Sequence, residues 1–144
     1  MATSVTYGRG LGIARIYALI FGIAYLAVAL TEVILGSAGL MVGNAVILKL
    51  TVIQNAIHWL TGLVVLGSFF TGEIGARLVA RIVGIVFVLV TVLGVLERVI
   101  ASDFFGRLLG FAGQLPLSYN LVHLATAALA LFAGFFAARA YGQE

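Results

Sequence analysis

Charge is almost absent from four long stretches of this chain, at about 12–36, 50–70, 76–101 and 117–140. The second of them carries no Asp, Glu, Lys or Arg, and the first carries only Arg15 and Glu32. A helix needs roughly 20 predominantly apolar residues to cross the hydrocarbon of a bilayer, and each stretch meets that length. A membrane barrel would instead alternate apolar and polar residues over segments of about ten, and these runs do not alternate. Composition agrees: 63% of the 144 residues are hydrophobic, 9% are charged and the mean hydropathy is +1.22. Soluble domains carry about a quarter charged residues, so too few exist here to cover a water-facing surface. The fold class expected is an all-α integral membrane protein, a single domain over 1–144 in which four helices form a bundle.

The polar residues inside the runs repeat. Glu32, Asn55, His58 and Thr61 return 65 residues later as Glu97, Asn120, His123 and Thr126. The chain has only two His, three Asn and four Glu, and six of those nine fall in this register. Such self-similarity predicts two tandem hairpins, about 12–75 and 76–140, related by a pseudo-twofold axis along the membrane normal. Gly36-Ser37-Ala38-Gly39 closes the first span, and Thr71-Gly72-Glu73-Ile74-Gly75 is expected to separate the second from the third. Pro116 suits the start of the fourth helix, where its missing N–H costs nothing. Because Glu32 belongs to the repeat, the first span is expected to be retained rather than cleaved as a signal peptide.

Arg9, Arg15, Arg77, Arg81 and Arg139 flank the side holding the termini and the second loop, against Lys49, Arg98 and Arg107 on the other. This bias predicts a multi-pass protein of a bacterial plasma membrane with both termini cytoplasmic. The basic residues stand singly at helix ends, as topology anchors, and form no patch for nucleic acid. With no cysteine, disulfides and thiolate metal sites are excluded. Two outer segments, about 37–49 and 102–115, occupy matching places in the repeat and are expected to hug the membrane interface.

On the second helix Thr51, Asn55, His58 and Thr61 share one face, and on the fourth Asn120, His123 and Thr126 do the same. Glu32 and Glu97 stand near outer helix ends, with water expected within reach. Three readings of these clusters compete. Polar side chains can hydrogen-bond across helices and fix the register of a bundle. His58 and His123 can instead ligate a haem or a chlorophyll-type pigment, on helices that would be diagonal neighbours facing the bundle axis. The third reading is a small ion or proton site in an oligomeric transporter. No nucleophile–base pair stands at helical spacing, so no enzyme is expected, and no metal site beyond these residues. Small residues four apart supply close-packing faces: Ala14, Ala18 and Gly22; Ala76, Ala80 and Gly84; Thr126, Ala130, Gly134 and Ala138. Some build the bundle, leaving one available for an oligomer.

Two passages carry a resemblance. Asn55-Ala56-Ile57-His58-Trp59-Leu60-Thr61-Gly62, and Leu115-Pro116-Leu117-Ser118-Tyr119-Asn120-Leu121-Val122-His123, each place Asn three residues before His. They resemble segments of a bacterial four-helix membrane family catalogued as domain of unknown function 4383. Tyr119 stands where that family has an acidic residue before Asn120, so no carboxylate role carries over there. The resemblance implies four helices with a His on the second and fourth, and implies no activity. The function expected is that of a small structural or accessory tetraspan, packing into a homo-oligomer or a larger membrane complex.

Overall fold

The computed structural model describes residues 11–36, 40–42 and 45–136. Helix α1 spans Ile13–Leu35, α2 Val52–Ser68, α3 Gly72–Val99 and α5 Leu117–Leu131, with a short α4 at Phe104–Leu108. Three helical stretches are long and apolar enough to cross a membrane: Ile13–Leu35, Val52–Val99 and Leu117–Phe136. The middle one, at 48 residues, holds both α2 and α3. They are separated by a 3-10 turn at Phe69–Thr71 and by Gly72, whose φ of 83° lies in a region that side chains disfavour.

The break between α2 and α3 therefore falls earlier than the sequence suggests. Gly72–Gly75 belongs to α3 rather than to a loop, and Glu73 gains the favourable end of the helix dipole in its first turn. The same carboxylate accepts from the backbone N–H of Ala14 at 3.1 Å and of Arg15 at 3.2 Å. It thus caps the start of α1, two of whose four orphan donors need a partner where water is scarce. Arg77 holds that carboxylate in place at 3.2 Å.

Packing proceeds as two antiparallel pairs. Gly22 of α1 lies against the backbone of Leu66 on α2, and Gly84 of α3 against Leu131 on α5, each too close for a Cβ. Ala14, Ala18, Ala76, Ala80, Ala127 and Ala130 fill the remaining interface, together with Tyr17, Tyr25, Val65 and Phe87. The large aliphatic side chains point the other way: Val52, Ile74 and Val99 are 88%, 84% and 77% exposed. Small residues inside and large apolar ones outside is the distribution expected of helices that meet each other in lipid. The small-residue faces of α1 and α3 are consumed within the bundle, as are Ala130 and Gly134 of the third, while Thr126 stays half-buried and Ala138 lies outside the described residues.

The pairs join chiefly through α3, which touches both α1 and α2; α5 packs on α3 and meets α1 through its C-terminal extension. That extension, Phe132–Phe136, is a π-helical turn rather than the α-helix expected to residue 140. Its carbonyl at Gly134 accepts from Arg81 Nε at 2.8 Å, and the guanidinium lies 4.7 Å from the Phe135 ring centre. Arg15 likewise donates to the Phe69 carbonyl at 3.1 Å. These arginines close helix ends as well as flanking the apolar runs; Arg9 and Arg139 lie outside the described residues.

One outer segment departs from an all-α fold. Leu40–Val42 (β1) and Ala45–Leu48 (β2) pair antiparallel, with a register shift between Leu40 and Met41. The other, 102–115, holds α4 and folds back over the end of α3.

Candidate functional site

The predicted polar residues take different places, and Asn55, half-buried with Oδ1 unpaired, has no hydrogen-bonded partner for that atom. Glu32 reaches the N–H of Leu50 at 3.3 Å. Glu97 reaches the N–H of Leu115 and also that of Gly106, the latter at 2.9 Å. Both contacts to residues 50 and 115 span 18 positions, so the 65-residue register of the sequence reappears in the hydrogen bonds. Water within reach of Glu97 was the expectation, and the side chain is instead only 3% exposed, because residues 106–115 wrap over it. Asn120 packs against the Cα of Gly94, where a Cβ would collide with its amide. Thr126 donates to Val122 O within its own helix at 2.6 Å. Thr61 is half-buried on α2.

The histidines, by contrast, come together. His58 and His123 line one cleft of about 250 Å³. Its two walls are α1, with Phe21 and Tyr25, and α5, with Tyr119, His123 and Thr126; Phe87 of α3 and His58 of α2 also line it. The cleft lies in the seam between α1 and α5, where the two pairs pack least. Ala24 and Val122 on its lining are exposed, so it opens sideways out of the bundle. Polar atoms are few and convergent within an apolar lining, the usual composition of a small-molecule site.

A chain of rings links the imidazoles. Tyr25 meets His58 edge-on at 6.0 Å, stacks on Phe87 at 5.9 Å, and Phe87 stacks on His123 at 5.3 Å with 12° between planes. α2 and α5 are thus kept apart by aromatic side chains of α1 and α3, which explains why they do not face each other directly. A second cavity of about 40 Å³, bordered by Gln54, Leu109 and both histidines, lies beside the cleft. It exceeds the roughly 10–15 Å³ a water needs.

The tautomer of His58 is fixed by its backbone. Nδ1 lies 2.8 Å from the carbonyl of Gln54, which can only accept, so Nδ1 carries the proton. In the neutral ring Nε2 is then a bare acceptor. Gln54 itself, 4% exposed, was not among the residues singled out in the sequence. It completes a reciprocal cap with Thr51: Gln54 N–H donates to Thr51 Oγ1 at 3.1 Å, and Thr51 N–H to Gln54 Oε1 at 3.0 Å. The Thr-x-x-Gln spacing ahead of an apolar run is the signal that marks it. His123 has no such orientation, its Nδ1 being buried without a partner. The hydroxyls of Tyr17 and Tyr25 are also buried and unpaired.

Among the described residues no group of three or more His, Cys, Asp or Glu could hold a metal ion. Compared with known protein families, curated proteins and solved structures, the chain finds no match.

Proposed function

We propose that this is a four-span protein of a bacterial plasma membrane, with both termini cytoplasmic. Its two hairpins are related by a pseudo-twofold axis, and its role is that of a small accessory or structural subunit. The observation that carries this is where the charged side chains go. Glu32, Glu73 and Glu97 accept from backbone N–H groups, and Arg15, Arg81 and Arg98 donate to backbone carbonyls. Charge is thus committed to closing the bundle, while the outward face is large aliphatic residues suited to lipid or to another membrane protein. The equal 18-residue spans of the Glu32 and Glu97 contacts support the repeat. The resemblance to the four-helix family of unknown function implies a His on the second and fourth long helices, where α2 and α5 carry His58 and His123.

A haem or chlorophyll-type ring on His58 and His123 is the second reading. A backbone-oriented His58 favours ligation, since metal-bound imidazoles usually donate their other N–H to a carbonyl. Room argues against it: the cleft holds about 250 Å³. Pockets for drug-sized ligands run from about 300 to 1,000 Å³, and a tetrapyrrole is at least that large. His123 also lacks an orienting partner. Transport ranks third, because the cleft opens to the side of the bundle past Ala24 and Val122.

Chemical cross-linking in native membranes, followed by mass determination in lipid nanodiscs, tests assembly. A defined oligomer or one stoichiometric partner is the expected result. A monomer in both settings overturns the accessory reading.

A further inference from the structure

The cleft between α1 and α5 has a volume, a polarity and an entrance that together define a ligand. Its volume of about 250 Å³ exceeds the roughly 150 Å³ of an engineered cavity that takes benzene. It falls below the range of drug-sized pockets, which is about 300 Å³ upward. One substituted aromatic ring fits, with any longer part outside. Phe21, Tyr25 and Phe87 give the lining the aromatic character that suits such a ring.

The two imidazoles have opposite hydrogen-bonding needs. His58 Nε2 is a bare acceptor, because its Nδ1–H is held by Gln54 O. His123 buries Nδ1 with no acceptor nearby, and an orphaned N–H is the rarer kind of unpaired buried group. Its proton therefore belongs on Nε2, which makes His123 a donor. A ligand that answers both donates from one edge and accepts at another.

We propose that this cleft binds the head of a lipid-borne quinol or a similar tailed phenol. A ring hydroxyl donates to His58 Nε2, and an oxygen elsewhere on the ring accepts from His123. The apolar tail leaves past Ala24 and Val122 into the surrounding hydrocarbon. This is binding only, and it does not depend on the assembly reading.

The test uses the full chain in nanodiscs, titrated calorimetrically with decyl-tailed ubiquinol and with its bis-methyl ether, which has no donor. Alongside wild type, His58→Phe removes the acceptor and Ala24→Phe blocks the mouth from an exposed position without touching either His. The expected result is saturable quinol binding, about tenfold weaker for the ether and about tenfold weaker in His58→Phe. Binding is expected to vanish in Ala24→Phe while its thermal unfolding stays that of wild type. Equal affinity for quinol and ether, or binding indifferent to both substitutions, overturns the proposal by showing partition into lipid alone. A tail-less hydroquinone that binds as tightly as the tailed one overturns the lateral route. A haem absorption band in the purified protein overturns it as well, since His58 Nε2 would then be a ligand to iron.

Discussion

The segments that follow Glu32 and Glu97, residues in register 65 positions apart in the sequence, are held by different means. After α1, residues 40–42 and 45–48 pair with each other as a strand hairpin. They pair part of their backbone with each other, and Glu32 adds one contact, to Leu50 N–H at 3.3 Å. After α3, residues 100–116 have no ladder: α4 and its flanking turns pair part of the backbone, and side chains tie the rest. Glu97 binds the N–H groups of Gly106 and Leu115, Arg98 donates to Leu115 O at 2.6 Å, and Gln114 donates to Glu97 O and Ser102 O. Gly106 lies so close to the Gly113 carbonyl that a Cβ has no room. The same Glu in the same register is thus peripheral in one half and central in the other. What decides its weight is whether the loop can pair its own backbone, since each buried N–H must find a partner somewhere.

The largest effect should come from breaking that difference at its centre. Glu97→Ala removes a buried acceptor for two N–H groups, each bond to a charged group being worth about 1.5–3 kcal/mol. A loss of roughly 3–5 kcal/mol is expected, against about 1 kcal/mol for the half-buried, single contact of Glu32→Ala. Thermal unfolding of both variants in the same detergent checks it. Equal losses would mean that the loops are held alike and that the hairpin does not relieve Glu32.

Arg98 sharpens the contrast, because position 33 in the first half is Val. Arg98→Ala leaves the Leu115 carbonyl without its donor and should cost about 1.5–3 kcal/mol. Hydrogen exchange at residues 106–115 is the sensitive readout. It should quicken there while α1 and α2 stay unchanged, and quickening throughout would show instead that Arg98 supports the whole bundle.

Much of this organisation was legible in the chain. Apolar runs bounded the helices to within a few residues, and the spacing of Ala14, Ala18 and Gly22 identified a buried face correctly. The register of Glu32 with Glu97 was visible, but water was expected at both carboxylates and not the two backbone contacts of equal span. What stayed hidden was how two halves meet. A repeat specifies a face on each helix but not which seam opens, so the arrival of His58 and His123 in one cleft carries no periodic signal. The burial of Glu97 depends on a loop that returns 9 and 18 residues later, where no helical spacing applies. Gln54 was masked by its neighbours Asn55 and His58, although its spacing from Thr51 was there to read.

The outer loops also touch across the two halves, through Thr51 and Tyr119. Thr51 Oγ1 donates to Leu109 O at 2.5 Å while capping α2, so Thr51→Ala removes a cap and a bridge together. Cap loss alone costs about 1 kcal/mol, and the full effect should reach about 2 kcal/mol.

Tyr119→Phe should have the smallest effect. Its hydroxyl donates to Lys49 O and accepts from Lys49 N–H at 3.3 Å, bonds that are exposed and compete with water. A loss of about 0.5–1 kcal/mol is expected. The double variant with Thr51→Ala tells whether the two ties act as one. Residues this close in one network usually couple by about 0.5 kcal/mol or more, so additive losses would mean that each half's loop is anchored independently of the other. In that case the asymmetry between Glu32 and Glu97 belongs to each loop alone. Coupled losses would instead make the strand hairpin, through Lys49 and Thr51, part of what holds residues 109–119 over Glu97.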